Sequence, residues 1–206
     1  QRAEHRFNPV TVSALWQALD VAESHLAEAN VLVVASAGKY WSNGMDLKFM
    51  DAHDEAERAL HSGRVNDLLV RLCCFPLPTV AALSGHWCAT GGMLGLAFDY
   101  RVMASDQGFF FIPGVDLGLV YATVQVELMK AKLPPGMRRE VILFNSRRWV
   151  GGELLVQGLV DAAVPAAEVL PKALELAALL RPKGRGPARK ALGGIKRVLY
   201  SAVVEA

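Results

Sequence analysis

Apolar and polar positions alternate along this chain with two periods, and the change between them divides it. From Val12 to Leu26 the apolar residues Val12, Leu15, Trp16, Leu19, Ala22 and Leu26 recur at helical spacing, with Pro9 as a start signal. Val31 to Ala35 is a short β-branched run that reads as a buried strand. Ala56 to Leu72 returns to the helical period, and Phe75-Pro76-Leu77-Pro78 stops it. Thr79–Leu83 and Tyr100–Ala104 read as strands on either side of a short apolar helix, Gly91 to Phe98. An extended aromatic run from Gly108 to Ile112 ends at Pro113-Gly114. Beyond it the pattern predicts helices over Thr123–Lys132, Pro135–Phe144, Gly152–Gly158, Ala166–Leu180 and Ala188–Val204, with a hinge at Gly184–Pro187. Short strands alternating with helices, followed by a helical end, predict an α/β fold.

The chain has 206 residues, enough for one domain with a substantial core. Its hydrophobic content is 52%, yet no apolar run approaches the roughly 18 residues of a membrane span, so a soluble chain without a membrane span is expected. A net charge of +2 argues against nucleic acid as a partner. The charge is uneven, however. Arg181, Lys183, Arg185, Arg189, Lys190, Lys196 and Arg197 crowd the C-terminal segment, where Glu205 is the acid. That tail reads as a solvated helix face, a seat for phosphate, or a contact for an acidic partner subunit. Cys73, Cys74 and Cys88 have neither metal nor disulfide spacing, so core thiols in a reducing compartment are expected. The first residues do not read as a signal peptide, and Val204-Glu205-Ala206 is not a Ser-Lys-Leu address. With the tail's charge, this favours a mitochondrial location over a peroxisomal one.

Two glycine-bearing segments carry the candidate chemistry: Lys39-Tyr40-Trp41-Ser42-Asn43-Gly44-Met45-Asp46-Leu47 and Gly85-His86-Trp87-Cys88-Ala89-Thr90-Gly91-Gly92. Each follows a β-branched run and leads into a helix. A strand, a glycine turn and a helix start leave backbone N–H groups unpaired and aimed at one point. Two such turns side by side form an oxyanion hole, which holds a carbonyl oxygen as it gains charge.

These segments, with Pro76-Leu77-Pro78-Thr79-Val80-Ala81-Ala82-Leu83-Ser84-Gly85-His86 and Asp99-Tyr100-Arg101-Val102-Met103, resemble the crotonase (enoyl-CoA hydratase/isomerase) superfamily. Within it they look most like the plant-type Δ3,Δ2-enoyl-CoA isomerases. The resemblance implies a spiral of ββα units over residues 1–164, its first strand absent, and a helical C-terminal or oligomerisation segment over 165–206. It also implies an acyl-CoA thioester ligand, no cofactor beyond that CoA, no metal, and assembly as a homotrimer or as a subunit of something larger. Residue by residue, it puts the oxyanion-hole amides at Met45 and Gly91 and the main chain that holds the adenine end of CoA at Asn43 and Gly44. It gives Asp46 the role of capping the helix that starts at Leu47, and makes His5 and His86 structural.

The proton-transfer side departs from the family. The resemblance places the family's glutamates at Leu94, Gly114 and Ala122, none of which can act as a base. Leu94 argues against hydratase chemistry. Asp116, two residues past Gly114, would project to the same side of an extended segment and is the candidate substitute base; its alternative is a turn or cap aspartate. Glu127 is a more distant candidate with a surface alternative, and Tyr121 is either a pocket donor or a packing aromatic. Two functions follow: an enoyl-CoA isomerase of fatty-acid β-oxidation with a displaced base, or a catalytically silent relative kept for its fold and subunit contacts. A pocket filled by Trp87, Phe109, Phe110 or Phe111 would favour the second.

Overall fold

A computed structural model describes residues 4–144 and 147–206, so the first residues of the expected 1–164 unit lie outside it. The chain runs through α1 (Pro9–Ser24), β1 (Leu32–Ala35), β2 (Tyr40–Ser42), α2 (Leu47–Ala52), α3 (Glu55–Cys73), β3 (Thr79–Leu83), β4 (His86–Cys88), α4 (Thr90–Ala97), β5 (Tyr100–Ala104) and β6 (Phe110–Phe111). It continues through α5 (Thr123–Lys132), α6 (Pro135–Ile142), α7 (Gly151–Val156), β7 (Ala162–Val164), α8 (Val169–Leu180), α9 (Gly186–Leu199) and α10 (Ser201–Val204).

The strands form two parallel sheets, β1-β3-β5-β7 and β2-β4-β6. Consecutive strands go alternately to the larger and the smaller sheet before a helix returns the chain, which is a ββα spiral. The larger sheet is buried on both faces. Leu83 and Met103 face the main core under α3 and α4, whereas Val80, Ala82, Val102 and Ala104 face α8 through Val169, Ala173 and Ala177. Two-sided burial explains why β3 reads as an unbroken apolar run rather than an alternating one.

The predicted elements recur with shifted ends. The helix read from Gly91 begins at Thr90, and the long C-terminal helix breaks at Tyr200 into α9 and α10. The 3-residue strands β2, β4 and β7 are too short to leave a period in the sequence. The basic tail is not uniformly solvated. Lys196 is 3% exposed and donates to Phe75 O (3.0 Å), Leu77 O (2.9 Å) and Asp99 Oδ2 (2.6 Å), fastening α9 to the end of α3 and the start of β5. Asp99 also accepts from the Thr79 amide and hydroxyl, so one carboxylate joins two strands and the C-terminal helix. The three cysteines are free and buried. Burial raises the Cys88 thiol to about 12.

Candidate functional site

Parallel strands deliver their C-terminal ends to one edge, and the ends of β2, β4 and β6 meet beside a cavity of about 380 Å³. Met45 lines it after β2, Ala89, Thr90 and Met93 after β4, and Ile112, Pro113 and Gly114 after β6. Leu117, Leu119, Val120, Tyr121 and Gln125 form the far wall.

Two close approaches hold the glycine turns against each other. Gly44 has φ +76, and a Cβ there would stand 2.9 Å from Ala89 Cβ and 3.0 Å from the Thr90 amide. At Gly91 a Cβ would fall 2.6 Å from Ser42 Oγ and 2.7 Å from Ser42 O. Glycine is therefore required at both positions, at Gly44 by conformation as well as by space. The Met45 amide is freed by a bridge to the N-terminal segment. The Phe7 amide donates to Gly44 O (2.8 Å) and the Asp46 amide to Phe7 O (3.1 Å), so in this parallel pairing the Met45 N–H points the other way. Arg6 Nη1 fixes the Met45 carbonyl at 3.2 Å.

The second turn is strained. Ala89 has φ 51 and ψ −130, a region that residues with a Cβ avoid, and it is held by its N–H to Phe111 O (2.7 Å) and by its carbonyl accepting from Met93 (3.1 Å). Strain of this kind, about 1–3 kcal/mol, persists only where the surroundings impose it, and it clusters at functional sites. Here it aims the first turn of α4, whose amides have no partner within the helix. Thr90 stands on the cavity wall. The Cα of Gly91 packs against Ser42, directly after Thr90 on the same turn.

The opposite wall is built differently. Gly114 N–H donates to Tyr121 Oη at 2.8 Å, and Tyr121 Oη donates to Ile112 O at 3.3 Å. The loop closes on itself: Gly114 O accepts from the amides of Leu117 and Leu119, and Gly118 takes φ 67. A Cβ at Gly114 would collide with Tyr121 Oη, Cε1 and Cζ. Burial pushes the Tyr121 phenol above its ordinary range, against the opposing pull of the Gly114 amide.

Asp116 does not reach the cavity. The extended geometry that would have brought it there is replaced by a 3₁₀ turn, Val115–Leu117, which leaves Asp116 exposed while Leu117 lines the wall. Glu127 is paired with Lys130 at 2.7 Å, away from the cavity. Asp46 begins α2 without capping it, its Oδ2 accepting instead from Asn8 Nδ2 at 3.4 Å. Asn43 and Gly44 precede Met45 and are bound to Glu4 and Phe7. His5 anchors the first segment to Tyr40 O at 2.8 Å. His86 meets Tyr40 edge-on and lies tilted over Phe109, and burial together with Lys39 and Arg148 lowers its pKa. The aromatics at Trp87, Phe109, Phe110 and Phe111 leave the cavity open. Asp51 and Arg58, which sequence reasoning missed, line it from α2 and α3, and both are exposed. Among the described residues no cluster of three or more His, Cys, Asp or Glu could hold a metal, and no helix is long and apolar enough to cross a membrane.

Two parallel sheets wound as a ββα spiral, with glycine turns meeting at the strand ends, define a crotonase-type fold. The chain belongs to the enoyl-CoA hydratase/isomerase family, whose sequence pattern matches residues 2–196. It is 34% identical over 163 residues to enoyl-CoA delta isomerase 3 of Arabidopsis thaliana, covering 78% of this chain and 68% of that one. It is 32% identical over 170 residues to the peroxisomal enoyl-CoA delta isomerase 2 of the same plant, covering 80% and 71%. A mitochondrial human protein, enoyl-CoA hydratase domain-containing protein 3, is 30% identical over 159 residues, covering 74% of this chain and 51% of its own. An apo enoyl-CoA isomerase structure from Mycobacterium tuberculosis shares the fold, with a TM-score of 0.85 at 24% identity over 98% of this chain and 84% of that one.

Proposed function

We propose that this chain binds acyl-CoA thioesters in the 380 Å³ cavity and lacks the carboxylate-driven proton transfer of an isomerase. In this reading the thioester carbonyl is received by the Met45 amide and by the first turn of α4, through Thr90, with Gly91 the adjoining donor. Asn43 and Gly44 carry the main chain nearest the CoA adenine. One observation supports the reading: at Gly114, where the resemblance places the family's glutamate, the Tyr121 ring fills the space a side chain would need. Asp51, exposed at the mouth, is the one carboxylate among the described residues on the wall.

Losing a general base lowers rate by about 10² to 10⁴, so turnover of a 3-enoyl-CoA should be slow while binding persists. Calorimetric titration with hexanoyl-CoA and turnover of 3-hexenoyl-CoA, for the wild type and Asp51→Asn, test this. Micromolar binding with residual turnover is expected. Fast turnover abolished by Asp51→Asn would move the base to α2 and overturn the silent reading.

A second reading, a structural subunit of a larger assembly or a homotrimer, is favoured by the apolar rim. Leu117 and Leu119 are each 56% exposed and Val120 is 96% exposed. Light scattering at micromolar concentration tests it; a monomer would count against it. The compartment goes with the ligand: acyl-CoA is degraded in mitochondria and peroxisomes, and the relatives' names include both. We favour the mitochondrion, and organelle fractionation decides it.

A further inference from the structure

We propose that Tyr121 determines what this cavity can do: its phenol is a neutral, hydrogen-bonded plug in the place of the acid, so a bound acyl-CoA is held and not deprotonated. The proposal rests on the acyl-CoA reading for its ligand and on the family resemblance for the acid's place, while the contact of Tyr121 with Gly114 stands on geometry.

The backbone at Gly114 does not require glycine. Its φ of −57 and ψ of −45 are ordinary helical values, which any residue adopts. What excludes a side chain there is Tyr121, whose ring and hydroxyl occupy the Cβ position. Two bonds place the phenol, one accepted from Gly114 N–H at 2.8 Å and one donated to Ile112 O at 3.3 Å. The next turn holds it from behind. Gln125 Oε1 accepts from the Ala122 amide (3.3 Å), and Gln125 Nε2 donates to Asn66 Oδ1 on α3 (2.9 Å). A carboxylate at 114 and the ring of Tyr121 are therefore mutually exclusive, and a proton acceptor can enter only if Tyr121 leaves.

A stability cycle tests the plug without any ligand. Alanine suits the Gly114 backbone and should by itself stabilise. In the wild type Gly114→Ala should instead lower Tm, by about 4 °C or more, because the core must give way. In a Tyr121→Ala background the same change should leave Tm unchanged or raise it. Equal effects in both backgrounds would overturn the proposal.

A functional arm follows with hexanoyl-CoA binding and 3-hexenoyl-CoA turnover. Gly114→Glu with Tyr121→Ala should turn over at least about 100-fold faster than wild type, with a rate that rises through the carboxylate pH range. Gly114→Glu alone should not. A single Gly114→Glu variant as fast as the double one would sink the plug. Absence of hexanoyl-CoA binding by the wild type, with the stability cycle intact, would overturn the acyl-CoA reading and the ligand assigned here.

Discussion

The two walls of the cavity are made of different material. The wall at Met45 and Thr90 is backbone: amides freed by a bridge to Phe7 and by the strained turn at Ala89. The wall at Gly114 and Tyr121 is side chain: the phenol lies where a Cβ at position 114 would stand, the place to which the proposal assigns the missing acid. Main-chain donors come with the fold, so they survive wide sequence change as long as the turns close. A side-chain acid is a single residue and disappears with one substitution. On the proposed reading, a chain that keeps the first wall without an acid on the second binds the thioester and transfers protons slowly.

The largest expected effect is on the backbone wall. Gly91→Val forces a branched side chain into Ser42; it should destabilise by about 3 kcal/mol and abolish acyl-CoA binding, as read by denaturant unfolding and calorimetry. Unchanged binding would mean that the turn is not part of the site. Next, Ala89→Gly relieves the φ 51, ψ −130 strain and should stabilise by about 1 kcal/mol net of glycine's entropy. Chemical denaturation checks this, and a destabilised variant would show that Ala89 is not strained. On the other wall, Asp116→Asn should leave both hexanoyl-CoA affinity and Tm unchanged, because the 3₁₀ turn exposes it. A collapse of activity in that variant would restore Asp116 as the base and erase the contrast between the walls.

A small effect concerns pH. His86, at the start of β4 in the three-stranded sheet, is held below the ordinary imidazole value of 6.5 by burial, Lys39 and Arg148. Its folded value is below its unfolded one, so the unfolded chain takes up the proton first. Stability is then complete above pH 6.5 and falls as pH drops below it. Tm measured from pH 8 to 5 should decline less steeply for His86→Gln than for the wild type.

What was legible in the sequence was local or carried by backbone. The α/β alternation, the apolar runs of β3 and β5, and the two glycine turns are patterns of near neighbours, and the fold uses them where they stand. The absence of an acid at Leu94, Gly114 and Ala122 is likewise plain from residue identities. The tertiary structure decided where side chains point. Asp116 was aimed at the cavity on the assumption of an extended segment, and a 3₁₀ turn closed through Gly114 O directs it outward. Tyr121 is seven residues from Gly114, and only that closed loop brings its hydroxyl onto the Gly114 amide. The close packing of Gly91 against Ser42 joins the two glycine turns, a contact between segments about fifty residues apart. Asp51 and Arg58 join the wall from two helices that no motif connects. Sequence by itself determined the donors that backbone supplies, since strand–turn–helix geometry follows from short-range pattern. Where Asp116 points, where the Tyr121 ring lies and what forms the mouth depend on contacts between distant segments, and only packing specifies those.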